Sequence, residues 1–493
     1  MNSNFLALLP VFLFMVTMLA VSVILRKSNS RKESQGFVKE YFIGSRSLGG
    51  FVLAMTTVAT YSSVSSFVGG PGQAWSIGFG WIYMSVVQVT ALFLVLGVLG
   101  KKMAIVGRKI DAVTVIDIIR HRYQSDAIAM ISAVIIVLFF SATMVAQFVG
   151  GAKLFEAVTG YSYLTGLCVF GLVVVLYTTV GGFRGVAVTD TICSIVMLAG
   201  MFLLLAGVLK QGGGYENIMN HIAANKPEML EPFSGGNMPL TLYISQWMLV
   251  GIFTIGLPQS VVRNLSYKDT KSLHRAIIIG TIVVGAMNIG MNFIGVLSQG
   301  ILPEGLDAYG NSVDNIIPLA IARSLPPLLA GITIIGPIAA SISTISSLLL
   351  SATSSIIKDV YLYEKEKRGA ALPESRAKSF SQLCNLILGL AIFAISINPP
   401  SVIWKINMFA FGGLESAFVW IFLLGLFWKK ANKTGAIWSM VCGTLVYCLT
   451  MLVGFKIAGI HQILIGVTVA LIAMVAGSHF GKKTDDEILD IYF

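Results

Sequence analysis

Charged side chains are scarce in this sequence. They make up 12% of its 493 residues, whereas 56% of the residues are hydrophobic. Soluble domains carry about 25% charged residues, so this composition excludes a chain built from soluble domains. Apolar runs of about 20 residues, long enough for a spanning helix, recur along the chain. The sequence therefore predicts an all-α, multi-pass membrane protein, because helices satisfy their own backbone groups in lipid.

Cysteine and histidine are also few, with five residues of each type. The cysteines lie in apolar stretches and lack the spacing of metal or redox sites. The histidines lie in loops or near the ends of apolar stretches, and no catalytic constellation forms around them. These absences argue against an enzyme.

About thirteen membrane spans are predicted from the apolar runs. The spans cover residues 5–25, 49–70, 77–100, 127–153, 162–180, 186–209, 239–262, 276–299, 327–357, 379–397, 403–428, 434–455 and 460–480. The first is not expected to be a cleaved signal peptide, since its basic residues follow it rather than precede it.

The basic residues are distributed unevenly between the two sides of the predicted membrane region. If the N-terminus is outside, 28 of the 34 Lys and Arg residues fall in inward loops, including 26–46 and 263–275. This positive-inside bias predicts an outside N-terminus and a cytoplasmic C-terminus. It also explains the net charge of +11 without nucleic acid as a partner.

The order of the spans predicts a 5+5 inverted repeat. Five spans lie between residues 49 and 209 and five more between 239 and 428, and an odd number per unit makes the second unit enter from the opposite side. The predicted division is a first helix with a basic cytoplasmic loop (1–48), repeat unit 1 (49–209), an extracellular loop (210–238), repeat unit 2 (239–428), and two peripheral helices with the C-terminus (429–493).

The first span of unit 1 combines seven Ser and Thr residues with a GGPG sequence, in FVLAMTTVATYSSVSSFVGGPG at 51–72. An interrupted helix frees carbonyl groups that suit a cation and amide groups that suit an anion. The alternative is an intact helix whose small residues allow close packing. The density of hydroxyls favours a broken, functional helix.

A second hydroxyl-rich stretch, AASISTISSLLLSATSS at 339–355, has nine Ser or Thr among seventeen residues. On a helix, Ala340, Thr344, Ser347 and Ser351 share one face. Their oxygens are hard ligands, and the lack of a carboxylate favours a monovalent cation over calcium. Alternatively, these hydroxyls bond carbonyls of their own helix or of a neighbour.

Several runs resemble the sodium:solute symporter family over nearly the whole chain. They include EYFIGSRSLGG (40–50), SSFVGGPG (65–72), YTTVGGFRGV (177–186), SYKDTKSLHR (266–275), IIKDVYL (356–362), AFGGLE (410–415) and GLFWKKANKTGA (425–436). The resemblance implies a leucine-transporter-like fold with alternating access, and it is strongest to the branch that carries pantothenate.

The resemblance also implies a sodium site between the first helix of unit 1 and the third helix of unit 2. Its ligands would be the carbonyls of Ala59, Ser62 and Ala340 and the hydroxyls of Ser343 and Thr344. Asp190 would guide the cation along the inner exit route, or act only as a charge at a helix N-terminus. Some relatives have Asp where this chain has Tyr61, so a further sodium contact is not expected there.

Polar residues within spans usually face a bundle interior or a cavity, so they are candidates for solute contacts. The candidates are Ser65, Ser66, Ser85, Gln88, Gln147, Trp247, Thr254, Gln259 and Glu415. Glu415 costs the most to bury, and pairing with Lys405, protonation and solute binding all stay open for it.

The resemblance implies sodium-coupled uptake of pantothenate by a monomer in a bacterial inner membrane, with the lipid bilayer, sodium and solute as partners. The alternatives are a symporter of the same family for another monocarboxylate or an amino acid, and a channel or membrane-embedded sensor. The short predicted C-terminal tail argues against a sensor with an output domain, and a single occluding site argues against a pore.

Overall fold

The computed structural model describes residues 3–29, 42–43, 46–370, 372–399 and 401–493. Most of the predicted basic loop 26–46 lies outside the described residues. Within these ranges the chain is helical, and its only β-type pairings are two isolated bridges, Leu48 with Tyr267 and Ile457 with Ile460.

The helices follow the predicted order along the chain. They are α1 Ser3–Asn29, α2 Gly50–Tyr61, α3 Ser65–Ile77, α4 Phe79–Lys109, α5 Val115–Tyr123, α6 Asp126–Thr159, α7 Tyr163–Val180, α8 Gly185–Gln211, α9 Tyr215–Asn225, α10 Leu240–Gly256, α11 Pro258–Leu265, α12 Thr270–Gly300, α13 Ile316–Ser324, α14 Pro327–Lys367, α15 Glu374–Ile395, α16 Ile403–Phe427, α17 Lys433–Val453, α18 Gln462–Phe480 and α19 Asp486–Tyr492.

Within the described ranges, ten helices have the length and apolar composition of membrane spans, and two bent helix pairs raise the number to twelve. The pairs are α2 with α3, bent by 66°, and α10 with α11, bent by 48°. Helix α1 covers the first predicted span. The prediction of a polytopic helical protein is confirmed, and the break within the predicted span 239–262 is an addition to it.

The chain crosses the molecule twice between Tyr163 and Gln211, in α7 and α8. At the start of α7, Tyr163 bonds the carbonyl of Ser396, and near the end of α8 Gly207 packs against Leu325. Ser396 and Leu325 belong to connections on the same side. The chain therefore reverses between α7 and α8, as the predicted spans 162–180 and 186–209 require.

Two helices of the second half form the centre of the bundle. In the most apolar windows of α14 and α16, 78% of the residues are buried, against 22% for α15. Helix α14 packs against α1, α6 and the helical segment that comprises α7 and α8. The hydroxyl-rich stretch 339–355 thus lies in protein rather than against lipid.

Helix α5 is tied to the end of α14 by a charged cluster. Lys358 forms a salt bridge with Asp117 and lies 3.3 Å from the Asp359 carboxylate. Thr114 caps α5 and donates a 2.7 Å hydrogen bond to Asp359. We refer to the side of the bundle that carries Lys358 and α5 as the basic side.

The Asp117 pair predicts a pH-dependent stability. Burial raises the pKa of Asp117, but Lys358 and backbone amides lower it more, so its net pKa lies below the usual value. Stability from this pair is present above the ordinary pKa, about 3.9, and is lost as pH falls through the lowered value. Asp117→Asn should therefore lower Tm at pH 7.

The measurement for Asp117 is thermal unfolding of wild type and variant in detergent from pH 7 to pH 3. The Tm difference should shrink as the pH falls below about 4, because the unfolded wild-type chain then binds a proton that the folded carboxylate still excludes. Asp307→Asn, at an exposed loop position, is the control and should leave Tm unchanged. A difference that is constant over the whole pH range would contradict this account of the pair.

Candidate functional site

The break between α2 and α3 leaves backbone groups without helical partners. Ser62 has extended backbone angles, φ −81° and ψ 100°, which end α2. The amide of Val64 donates instead to the side-chain oxygen of Gln147, at 2.9 Å, across the interface with α6. The break is therefore stabilised by a specific side chain and is not a frayed end.

Removal of this support should loosen the break. In Gln147→Met the Val64 amide stays buried without its acceptor, a loss of roughly 1–3 kcal/mol. We expect sodium affinity, measured as sodium-dependent thermal stabilisation, to fall about tenfold, because α2 would no longer be held in register. Gln382→Met is the control, since Gln382 also bonds a backbone group of another helix, but as the donor to the Thr179 carbonyl and away from the break. Equal effects of the two variants would contradict a special role for Gln147.

The hydroxyls of α14 meet the last turn of α2. Ser343 Oγ donates to the Ala59 carbonyl at 3.0 Å and lies 3.1 Å from the Ala340 carbonyl. Thr344 Oγ1 donates to the same Ala340 carbonyl at 2.9 Å. Four of the five sequence-predicted ligands thus form one buried cluster of oxygens, and Ser62 is the residue that directly follows α2.

The chemistry of this cluster fits a monovalent hard cation. It offers backbone carbonyls and hydroxyls, without carboxylate, sulfur or imidazole, so its formal charge is zero. Across the described residues no group of three or more His, Cys, Asp or Glu has a metal-binding arrangement. Neutral oxygens can replace the water shell of a monovalent ion, whereas calcium sites recruit several carboxylates.

Some of the polar candidates for solute contact are already engaged in local bonds. Ser85 donates to the Ile82 carbonyl and Thr254 to the Gly251 carbonyl, each within its own helix. Trp247 is 42% exposed and donates to the Tyr83 carbonyl, so it lies at the outer surface of the bundle. Ser66 is only partly buried, and Gln88 is buried in the middle of α4.

Other candidates keep buried polar atoms without a hydrogen-bond partner. These atoms are Ser65 Oγ, Gln147 Nε2, Gln259 Oε1 and both carboxyl oxygens of Glu415. The residues that carry these atoms lie on the two bent helix pairs, α2 with α3 and α10 with α11, or on the helices that pack against these pairs. Buried polar groups normally find partners, so these atoms beside the breaks are available to bond a polar solute.

Glu415 lies beside the second break. Its Cα is 3.1 Å from the position that a Cβ on Gly256 would take, so α16 packs directly on the end of α10. Its side chain is fully buried, and no ion pair joins it to Lys405 in the described structure. Tyr61, where no further sodium contact was expected, donates to the Val250 carbonyl at 2.6 Å and so links the end of α2 to α10.

Asp190 is buried beside the same hydroxyls. Its Oδ2 accepts a 2.7 Å hydrogen bond from Thr56 and one of 3.5 Å from Ser347. Arg263 lies 3.6 Å from this oxygen. The sequence interpretation missed Arg263, which it counted among the loop residues 263–275; nothing in the local sequence distinguished it from the basic residues that follow.

Comparison with known proteins identifies the group to which the chain belongs. The profile of the sodium:solute symporter family matches residues 41–443. A sodium/pantothenate symporter of Haemophilus influenzae is 39% identical over 461 residues, 92% of each chain. A sodium/pantothenate symporter of Escherichia coli is 39% identical over 478 residues, 97% of each chain.

Solved structures agree with the fold. A sodium-coupled sialic acid symporter, solved in a substrate-bound outward-open state, superposes with a TM-score of 0.83 at 19% identity, over 98% of this chain and 100% of the other. The transporter Mhp1 in a closed conformation gives a TM-score of 0.52 at 14% identity, over 92% of this chain and 97% of the other. The leucine-transporter-like fold is confirmed, and the protein is a transporter rather than an enzyme. The chain is a member of the sodium:solute symporter family.

Proposed function

We propose that this protein is a sodium-coupled symporter that takes up pantothenate by alternating access. The single observation that carries the sodium part is the contact of Ser343 with the Ala59 carbonyl, which joins α14 to the broken end of α2. The substrate comes from the 39% identity to two sodium/pantothenate symporters.

Sodium would bind the carbonyls of Ala59, Ser62 and Ala340 and the hydroxyls of Ser343 and Thr344. Because these ligands belong to two helices, the ion would hold α2 against α14 and so stabilise one conformation of the bundle. Loss of the sodium ion would release α2 from α14, and the region of the breaks would then open to the opposite side of the membrane. This is a population shift driven by a ligand that binds one state better.

Pantothenate would lie near the two breaks, with Ser65, Gln147, Gln259 and Glu415 as its polar partners. Amide groups freed at the start of α3 suit its carboxylate. Ser66 and Gln88 border this region, whereas Ser85, Trp247 and Thr254 are weaker candidates because their polar groups already have backbone partners or lie at the surface.

The membrane orientation is also proposed. The N-terminus would be outside and the basic side cytoplasmic, in the inner membrane of a bacterium, with a single chain as the functional unit. The chain would divide into repeat units 49–209 and 239–428, each beginning with a broken helix. Both breaks have similar backbone angles, at Ser62 and at Leu257 (φ −91°, ψ 104°), which supports this division.

The energetics limit the accumulation of solute. One sodium carried with one monoanion moves no net charge, so a tenfold sodium gradient contributes about 1.4 kcal/mol. A second sodium would add about 2.3 kcal/mol for each 100 mV of membrane potential. One clear sodium site favours electroneutral symport of one sodium with one pantothenate anion, which the membrane potential does not drive.

The test is uptake of labelled pantothenate into proteoliposomes with an inward gradient of sodium or of potassium. The proposal expects accumulation with sodium only, and competition by unlabelled pantothenate but not by proline or lactate. If proline or another monocarboxylate blocks accumulation better than pantothenate does, the proposed substrate is wrong but sodium-coupled symport stands. Equal uptake in both salts would refute sodium coupling.

A further inference from the structure

Arg263 is an arginine in the centre of the bundle, 1% exposed, near the end of α11. Its Nη2 donates to Thr60 Oγ1 and to Ser347 Oγ, each at 2.7 Å. The same nitrogen lies 3.6 Å from Asp190 Oδ2, and the guanidinium lies 4.8 Å from the ring centre of Phe183.

This side chain joins four helices at one point. Thr60 belongs to α2, Ser347 to α14, Asp190 to α8, and Arg263 itself to α11. A charge in a dry interior needs a partner, and removal of one member of a buried ion pair leaves the other uncompensated. Asp190 is the carboxylate that pairs with Arg263 among the described residues, so the contact is stable only when all four helices are close together.

The cluster lies directly next to the candidate sodium site. Thr60 follows the ligand Ala59, and Ser347 is one helical turn from the ligand Ser343. Both the turn of α14 that contains Ser347 and the end of α11 point towards the basic side. An ion leaving the site in that direction would meet a fixed positive charge at hydrogen-bond distance from hydroxyls of both flanking helices.

We propose that Arg263 and Asp190 form a latch that closes the path from the sodium site to the basic side. The latch opens when α2 moves away from α11 and α14, because the hydroxyls of Thr60 and Ser347 then separate. Asp190 is therefore neutralised by Arg263 in the closed state and becomes free to attract the departing cation only after opening.

This inference rests on the proposed function in one respect, namely that sodium occupies the cluster at Ser343. Arg263 acts through Asp190 and the helices that it joins, so it is a positioning residue. A purely structural arginine would contribute to folding alone. A latch must in addition change how readily reagents reach the sodium site from the basic side.

The test measures that access with a reporter cysteine. Ser63 follows the candidate ligand Ser62 on the sodium-site side of the latch and is 2% exposed. In the full chain, with its five native cysteines replaced, Ser63→Cys is labelled with a membrane-impermeant maleimide in detergent and in vesicles, with sodium or potassium chloride. Slow labelling in sodium is expected for the reporter protein with an intact latch.

Arg263→Gln should raise the labelling rate in sodium about tenfold. This change corresponds to a loss of roughly 1.4 kcal/mol from the free energy that favours the closed latch over the open one. The matched control is Arg122→Gln, since Arg122 is equally buried but bonds the carbonyls of Gly425 and Trp428. The Arg122→Gln variant should be labelled at the same rate as the protein that carries the reporter cysteine alone. A normal rate in Arg263→Gln, or an equal rise in the control, would overturn the latch.

A double variant separates the effect of an open latch from the effect of misfolding. Arg263→Gln with Asp190→Asn removes both charges, so no uncompensated charge is buried and the chain should fold even where the single variant does not. It should label as fast as Arg263→Gln. Slow labelling of a folded double variant would overturn the proposal. These readouts need no solute, so a failure of pantothenate uptake leaves them unaffected and would count against the proposed substrate alone.

Discussion

Substitution of both hydroxyl ligands, Ser343→Ala with Thr344→Ala, should abolish sodium-driven uptake and leave a folded protein. The hydroxyls contact the carbonyls of Ala59 and Ala340 within one buried cluster. A polar contact to a charged group is worth about 1.5–3 kcal/mol. Loss of either contact should therefore weaken sodium binding by about tenfold to a hundredfold, and loss of both should weaken it further.

The affinity can be measured without transport, as the rise in Tm on titration with sodium chloride against potassium chloride. Ligand binding to the folded state stabilises it in proportion to the logarithm of ligand excess. The double variant should show no difference between the two salts. Ser346→Ala is the control, because Ser346 is buried on the same helix and its hydroxyl bonds the Ser343 carbonyl rather than Ala59. A sodium response that survives in the double variant would place the ion elsewhere.

Addition of a single methyl group at Gly72 or Gly295 should disrupt the region of the first break. A Cβ on Gly72 would lie 2.2 Å from the carbonyl oxygen of Val313, and a Cβ on Gly295 would lie 2.2 Å from that of Pro71. Both obstacles are backbone atoms, which cannot rotate away as a side chain can. Helix α3 therefore packs backbone to backbone against α12 and the 3₁₀ turn at Val313.

Overpacking of this kind costs roughly 1–3 kcal/mol and displaces the helix. We expect Gly72→Ala and Gly295→Ala to lower uptake by about tenfold or more, because α3 positions the freed amides of the break. Gly49→Ala is the control, since no atom lies within 4 Å of its Cβ position and its φ is −75°. Uptake is measured per folded protein after size-exclusion chromatography. Normal uptake by Gly72→Ala would show that this packing is dispensable.

The first break and the hydroxyl-rich helix could be predicted because their sequences contain unusual residues for a span. Hydroxyls and GGPG interrupt the apolar pattern at 51–72, and the hydroxyls at 339–355 recur with helical spacing. The pairing of these two segments did not follow from spacing. It followed from family resemblance, because contacts between distant spans leave no local pattern.

The second break was missed for a physical reason. Gly256, Leu257 and Pro258 lie in a run that is otherwise apolar, and one proline within a span is compatible with an intact, kinked helix. Leu257 is extended there because Pro258 restricts the residue before it and begins α11. Arg263 was missed because every basic residue near the end of a predicted span was assigned to the adjoining loop. Its partner Asp190 is distant in sequence, so no local pattern indicated the ion pair.

The most direct test of the central claim is a paired flux measurement in one set of proteoliposomes. Labelled sodium and labelled pantothenate are followed together, with wild type beside the Ser343→Ala/Thr344→Ala variant. The account predicts that each solute accelerates the entry of the other in wild type and that both accelerations vanish in the variant. Pantothenate entry at the same rate with and without sodium, or mutual acceleration that persists in the variant, would contradict it.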